Sequence, residues 1–131
     1  AIGDVPSVFD RKYTWYCFDK LDVSLMKAGA ELMVGEHDFK GFSSVKKSSK
    51  STVRTVRRID IDVKEREIDL IFEGNGFLYN MVRIMAGTLI EIGTGDREPE
   101  TIKEVFQTKN REKAGMTLPP QGLFLDEVFY E

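Results

Sequence analysis

An arginine inside an apolar run is the first residue of this chain whose chemistry asks for a partner. Arg83 lies within FLYNMVRIMAGTLIEIGTG, residues 77–95, where nearly everything else is apolar or small. On a helix its neighbours three and four positions away are Tyr79, Asn80, Ala86 and Gly87. Leu78, Met81, Met85 and Leu89 fall on other sides. Arg83 therefore occupies a stripe of polar and small residues that leaves room for another group to approach. Two readings stay open on pattern alone. One is the ordinary surface arginine of an amphipathic helix. The other is a guanidinium held on a rigid element to pair with a carboxylate or phosphate in a cleft, a task its planar fork suits.

Other reactive side chains point to less. His37, in GEHDF, is the single histidine, with no cysteine or second histidine beside it to share a metal. It reads as a loop hydrogen-bonder or an RNA-facing residue, not a catalytic base. No serine or cysteine has a recognisable triad partner. Asp60 and Asp62 alternate along one segment as solvated charges on an exposed strand face would. GTGDREP lacks the Lys-Ser/Thr of a phosphate loop and follows a helix where that motif follows a strand, so its glycines read as helix stops. Cys17, flanked by Tyr16 and Phe18, reads as a buried small hydrophobe.

The strongest local signal is charge. From Phe39 through Ile59 there are seven cations, Lys40, Lys46, Lys47, Lys50, Arg54, Arg57 and Arg58, and no acid. The whole chain carries −3, so everything outside that segment is ten charges negative. A basic segment on an acidic body favours one localised anionic partner over general stickiness. Lys46, Lys47 and Lys50 lie among serines in a loop able to follow a phosphate backbone, and Arg54, Arg57 and Arg58 stand at the mouth of a strand. Phe39 and Phe42 are placed to stack on bases, although burial suits at least one of them. Together these favour nucleic acid.

The elements that position these residues follow from periodicity. KYTWYCF (12–18) reads as a strand. Asp22 offers an N-cap to a helix whose core positions are Val23, Met26, Ala30 and Met33, stopped by Gly35. Residues 36–53 read as a mobile Ser/Lys-rich loop. Ile59, Ile61 and Val63 alternate with Arg58, Asp60 and Asp62, and after a turn near Glu65–Arg66 the residues Ile68, Leu70 and Phe72 alternate with Asp69 and Glu73. That is an antiparallel hairpin with one wet face. GNG (74–76) leads into the Arg83 helix, which Gly93 and Gly95 end. Pro99 opens a helix with Ile102, Val105 and Phe106 inward. Residues 111–121 are irregular, and GLFLDEVFY reads as a closing strand. The fold class is α+β: a mostly antiparallel sheet with helices packed on one face.

Size and composition bound the rest. At 131 residues, 41% hydrophobic and 31% charged, the chain is one globular domain, with neither repeats nor an interdomain linker. Arg83 and Glu91 interrupt the best membrane-spanning candidate. One cysteine excludes an internal disulfide and a cysteine-rich zinc site, and fits a reducing cytoplasm. No signal peptide is read at the start, and the opening Ala-Ile-Gly-Asp, with no methionine, reads like the middle of a longer protein.

Four blocks, in order, are specific enough to name a family: GEHDFKGF, then VRT (53–55), then GNGFLYNMVRIMAGTLIEIG, then EKAGMTLPPQGLFLDEVFY. Together they resemble the carboxy-terminal half of the tRNA pseudouridine synthase A family, and the likeness spans nearly the whole chain. The resemblance implies an enzyme that isomerises uridine to pseudouridine in the anticodon stem-loop of tRNA, in the cytoplasm, as a homodimer whose subunits together hold one tRNA. It implies no metal and no organic cofactor. Family members take their nucleophilic aspartate from a Gly-Arg-Thr-Asp block in the amino-terminal half, and a tyrosine from just upstream of this chain. Neither is here: Arg54-Thr55 is followed by Val56. Arg83 matches the arginine that ion-pairs with that aspartate, and Leu123 the apolar wall beside the target base. His37, Asp38 and Phe39 would line the RNA side of the cleft. By this reading the chain alone is inactive. The alternatives are a non-catalytic RNA-binding or dimerisation domain, and a protein-interaction domain that uses its acidic faces.

Overall fold

Alternation of apolar and polar residues over positions 58–63 and 68–73 seeds the sheet. The computed structural model describes residues 7–16, 20–46 and 50–129. Strand β1 (Ser7–Tyr16) is followed by helix α1 (Val23–Met33), strands β2 (Gly35–Asp38), β3 (Val53–Val63) and β4 (Glu67–Gly74), helices α2 (Met81–Thr94) and α3 (Thr101–Thr108), and strand β5 (Leu123–Phe129). The five strands run in the order β2-β3-β4-β1-β5, and every neighbouring pair is antiparallel. In the β3–β4 hairpin Ile59 faces Phe72, Ile61 faces Leu70 and Val63 faces Ile68. Tyr13 of β1 extends the same face by pairing with Leu70.

Onto that face pack α1 and α2. Met26, Ala30 and Met33 from α1 meet Ile84, Met85, Leu89 and Ile92 from α2 in one core with Leu70 and Phe72. Asp22 caps α1 by accepting from the Leu25 amide at 3.2 Å. The helix ends on an extended Val34, and Gly35, at φ +114, begins the next strand. Gly95 closes α2 in the left-handed region that favours glycine. The α+β class, with helices on one face of an antiparallel sheet, is the architecture found.

Three expectations are corrected. The stretch 36–53 does not begin as a mobile loop. It opens with β2, hydrogen-bonded to β3, and a 3₁₀ turn at Lys40–Phe42. Phe39 and Phe42, both wholly buried, clamp that turn to Phe106 of α3, and each fully buried phenylalanine stabilises by about 1.5–3 kcal/mol. Asp69 does not sit on a wet face. It is 2% exposed, accepting a hydrogen bond from the Thr14 hydroxyl at 2.7 Å and an ion pair from Lys64 at 2.8 Å. Lastly, α2 starts only at Met81, because Asn80 adopts a left-handed conformation that breaks the helix; residues 77–80 form a separate approach to it. Cys17, Phe18 and Lys47 lie outside the described residues.

No helix among the described residues is long and apolar enough to cross a membrane.

Candidate active site

The small stripe on α2 is occupied by the chain's own later segment. A methyl group on Gly87 would collide with the Met116 carbonyl oxygen, so glycine at this position lets residues 114–118 lie directly along the helix. The seam is hydrogen-bonded throughout. The Gly115 amide donates to the Thr88 hydroxyl at 2.9 Å, and the Met116 amide to a Glu91 carboxylate oxygen at 2.6 Å. The Leu118 amide donates to the Arg83 carbonyl at 3.2 Å. The room read from Ala86 and Gly87 thus belongs to this segment.

That seam fixes Arg83. Its Nε donates to the Leu118 carbonyl at 2.6 Å, and its Nη1 to the Asn80 side-chain oxygen at 2.8 Å. The side chain is half-buried and lines a cavity of about 280 Å³ together with Arg11, Phe77, Tyr79, Pro120 and Leu123. No carboxylate among the described residues forms an ion pair with Arg83. With Nε occupied from inside, an outside carboxylate or phosphate has Nη2, and the remaining hydrogen of Nη1, to pair with end-on.

Leu123 reaches the same cavity through the turn that precedes it. The hydroxyl of Tyr13, on β1, donates to the Pro119 carbonyl. A side chain on Gly122 would come within 2.7 Å of the Tyr13 ring, so only glycine lets the chain pass there and deliver Leu123. Burial pushes the Tyr13 hydroxyl's pKa above its ordinary value, while the positive charge of Arg83 and a backbone hydrogen bond from Gly122 pull against it. Tyr13 is therefore a neutral phenol beneath the arginine at neutral pH.

The basic loop is rooted at the same cavity. On its outgoing leg the Ser44 amide donates to the Tyr79 carbonyl at 2.9 Å. On its return leg Thr55 and Asn75 exchange two hydrogen bonds, at 2.9 and 3.1 Å. Lys46 and Lys50 are exposed. Arg54 folds back on the Ser51 and Val53 carbonyls at 2.9 and 2.7 Å. Arg57 is exposed at a bulge in β3. Arg58 is half-exposed and paired with Asp60 at 3.1 Å and Glu73 at 3.4 Å, which offsets its charge.

The GEHDF residues do not line this cavity. His37 sits in a strand, stacks on Phe106 at 4.2 Å, and donates from Nε2 to the Val34 carbonyl at 3.0 Å. Asp38 accepts from the Thr52 hydroxyl at 2.6 Å and the Lys40 amide at 3.0 Å, and lies 3.6 Å from the Lys109 ammonium. Partial burial alone would raise its carboxyl, but Thr52, Lys40 and Lys109 outweigh that and hold it below the usual aspartate value. Phe39 is 0% exposed and cannot stack on a base, which corrects its assignment to the RNA face: its ring is part of the core. The block is built to hold β2 and the 3₁₀ turn in place.

Sequence reasoning missed Arg11, Phe77, Tyr79 and Pro120 as lining residues. Arg11 lies in a strand read only from its aromatic stretch; its guanidinium stands 5.5 Å from the Phe77 ring centroid. Tyr79 was visible only as a helical neighbour of Arg83, yet it is 70% exposed at the edge of the cavity. No group of His, Cys, Asp and Glu able to hold a metal occurs among the described residues.

Comparison with known proteins adds a second line. The family model described as tRNA pseudouridine synthase matches residues 30–131. A tRNA pseudouridine synthase A of Leuconostoc mesenteroides is 45% identical over 129 residues, 97% of this chain and 51% of that protein. The enzyme of that name from Oceanobacillus iheyensis is 46% identical over 127 residues, 96% of this chain and 50% of its own length. A tRNA pseudouridine synthase A 2 of Clostridium perfringens is 42% identical over 125 residues, 95% of this chain and 51% of its own. The chain spans about half the length of the curated relatives it matches.

Proposed function

We propose a function from one premise: the chain belongs to the tRNA pseudouridine synthase family. It acts as the part of a tRNA uridine isomerase that supplies the active-site arginine, an apolar wall and an RNA-binding surface. The nucleophilic aspartate comes from a segment outside this sequence. The substrate is the anticodon stem-loop of tRNA, and the working unit is a cytoplasmic homodimer in which both subunits hold one tRNA.

The single observation that carries this reading is the state of Arg83. It is half-buried, braced on two nitrogens, directed to a cavity, and without a carboxylate among the described residues. A guanidinium so placed suits a negative group brought from outside. Paired there, an aspartate stays ionised and correctly aimed.

The reaction is redox-neutral and loses no atom. The bond between uracil N1 and ribose C1′ breaks, the base turns, and a bond forms from C5 to C1′. The C5 proton departs and N1 gains one. The base must leave its stack for this, and unstacking is offset by an apolar pocket wall, the part given to Leu123. Arg83 orients the aspartate, and the basic loop rooted at Ser44 holds the phosphate backbone.

The test uses the complete protein and tRNA carrying tritium at uridine C5, which isomerisation releases. Arg83→Ala should abolish release while tRNA affinity stays within about threefold, since binding rests mainly on the many phosphate pairings that this variant keeps. Substantial turnover by that variant would refute the active-site reading. This chain alone should release nothing and still shift tRNA at low salt. Release by the pure chain would disprove an outside nucleophile; tRNA binding with no activity in the complete protein would leave a binding module.

A further inference from the structure

Asparagine is a favoured residue just before a helix because its side chain can accept a hydrogen bond from the second or third helical amide. Asn80 stands at that position of α2 and makes no such bond. It also adopts φ 61 and ψ 7, the left-handed region that asparagine enters more readily than most residues with a side chain. Forgoing the cap and accepting that backbone calls for a different use of the amide.

The amide has two partners. Its oxygen accepts from Arg83 Nη1 at 2.8 Å, and its nitrogen donates to the Ser44 hydroxyl at 3.1 Å. The orientation is dictated by chemistry, since a guanidinium offers only hydrogens and must face the amide oxygen. Opposite it, the Leu118 carbonyl holds Nε at 2.6 Å. Arg83 is thus gripped at two points on different nitrogens, which fixes both the position and the plane of its fork. A single hydrogen bond would leave the plane free to turn. Ser44 is itself anchored to the Tyr79 carbonyl and stands two residues before Lys46, the first exposed lysine of the basic loop.

We propose that Asn80 is a positioning residue: its side-chain amide sets the plane of the Arg83 guanidinium and, through Ser44, ties that plane to the root of the basic loop. This rests on Arg83 acting at the active site. RNA held by the loop and the carboxylate held by the arginine then share one support. The left-handed backbone at Asn80 is what brings its amide within reach of both partners at once.

Asn80→Gly in the complete protein separates side chain from backbone, because glycine enters the left-handed region without strain while removing the amide. The expected result is a kcat lower by about tenfold to a hundredfold, the size of effect that misorientation of a reacting group produces. KM for tRNA and the melting temperature should stay near those of the parent. Ser44→Ala should lower kcat in the same sense by less, because Asn80 keeps its bond to Arg83. Parental kcat in Asn80→Gly would overturn the proposal, as would a loss confined to KM or to stability. Arg83→Ala, assayed in parallel, distinguishes the failures. If it retains turnover the active-site reading falls. If it is inactive while Asn80→Gly is normal, only the positioning role falls.

Discussion

Buried polar side chains in this protein show how much depends on a single partner. Asp69 is 2% exposed, and burial alone would raise its pKa; the Lys64 ammonium and the Thr14 hydroxyl outweigh that and hold it below the ordinary aspartate value. A carboxyl whose folded pKa is depressed adds stability that is fully present above its unfolded pKa, and that is lost as pH falls through the folded value. Asp69→Asn should therefore cost stability at pH 7. Lys64 is half-exposed, so screening keeps the cost to about 1 kcal/mol. The deficit should begin to shrink below roughly pH 4, where the unfolded carboxyl protonates, and disappear only once pH has fallen through the lower folded value. Urea unfolding at several pH values measures this, and a deficit unchanged between neutral and acid pH would contradict the assignment. Nothing in the alternation of β4 marks Asp69 as buried, because a strand pattern reports which face a residue is on, not what covers it. Arg83 was legible for the opposite reason: a charge in an apolar run is conspicuous without a structure. Of its two braces, Asn80 was visible as a neighbour three positions away, though not its left-handed backbone, while the Leu118 carbonyl, 35 residues on, left no local mark.

Elements were read correctly where periodicity is long and misread where short segments depend on distant partners. The β3–β4 hairpin and helix α1 follow from alternation and capping alone. Strand β2 has four residues and is defined by its pairing with β3, across a loop rich in serine and lysine. Composition therefore hid it. The small stripe of α2 was legible as space, but its occupant came from about 30 residues further along, which no local pattern encodes. That seam gives a prediction of its own. A methyl group at Gly87 would meet a backbone oxygen of Met116, which cannot swing aside as a side-chain tip can. Gly87→Ala should therefore destabilise by about 3 kcal/mol, at the upper end for overpacking. Because the shifted segment carries Leu118, the Arg83 brace loosens as well. Turnover in the complete protein should drop severalfold even well below the melting temperature. Parental stability in this variant would show that the 114–118 segment is not packed as the structure has it.

At the scale of the whole molecule the organising fact is the separation of charge. Seven cations lie within 21 residues of a chain that is otherwise ten charges negative, and the structure ties the outgoing end of their loop, at Ser44, to Tyr79 and Asn80 of the Arg83 cavity. Not all seven count equally. Arg58 is offset by Asp60 and Glu73, and Arg54 is turned onto backbone carbonyls. Lys46 and Lys50 are exposed, with Lys47 next to the first of them in the sequence, and removal of these three should be felt most by RNA. An acidic surround repels a polyanion everywhere else, so the loop gives direction to encounter as well as affinity. Replacing the three lysines with alanine in the complete protein should weaken tRNA binding. It should also reduce the slope of log Kd against log salt by about 0.7–0.9 for each phosphate that is no longer neutralised. At saturating tRNA the rate should be unaffected, because Arg83 is braced by Leu118 and Asn80. The combination is diagnostic. A weaker complex with an unchanged salt slope would mean the loop acts through shape, and its lysines would have to be removed from the RNA face. A fall in the saturated rate would instead place them in the chemistry and overturn the assignment of the loop to binding alone.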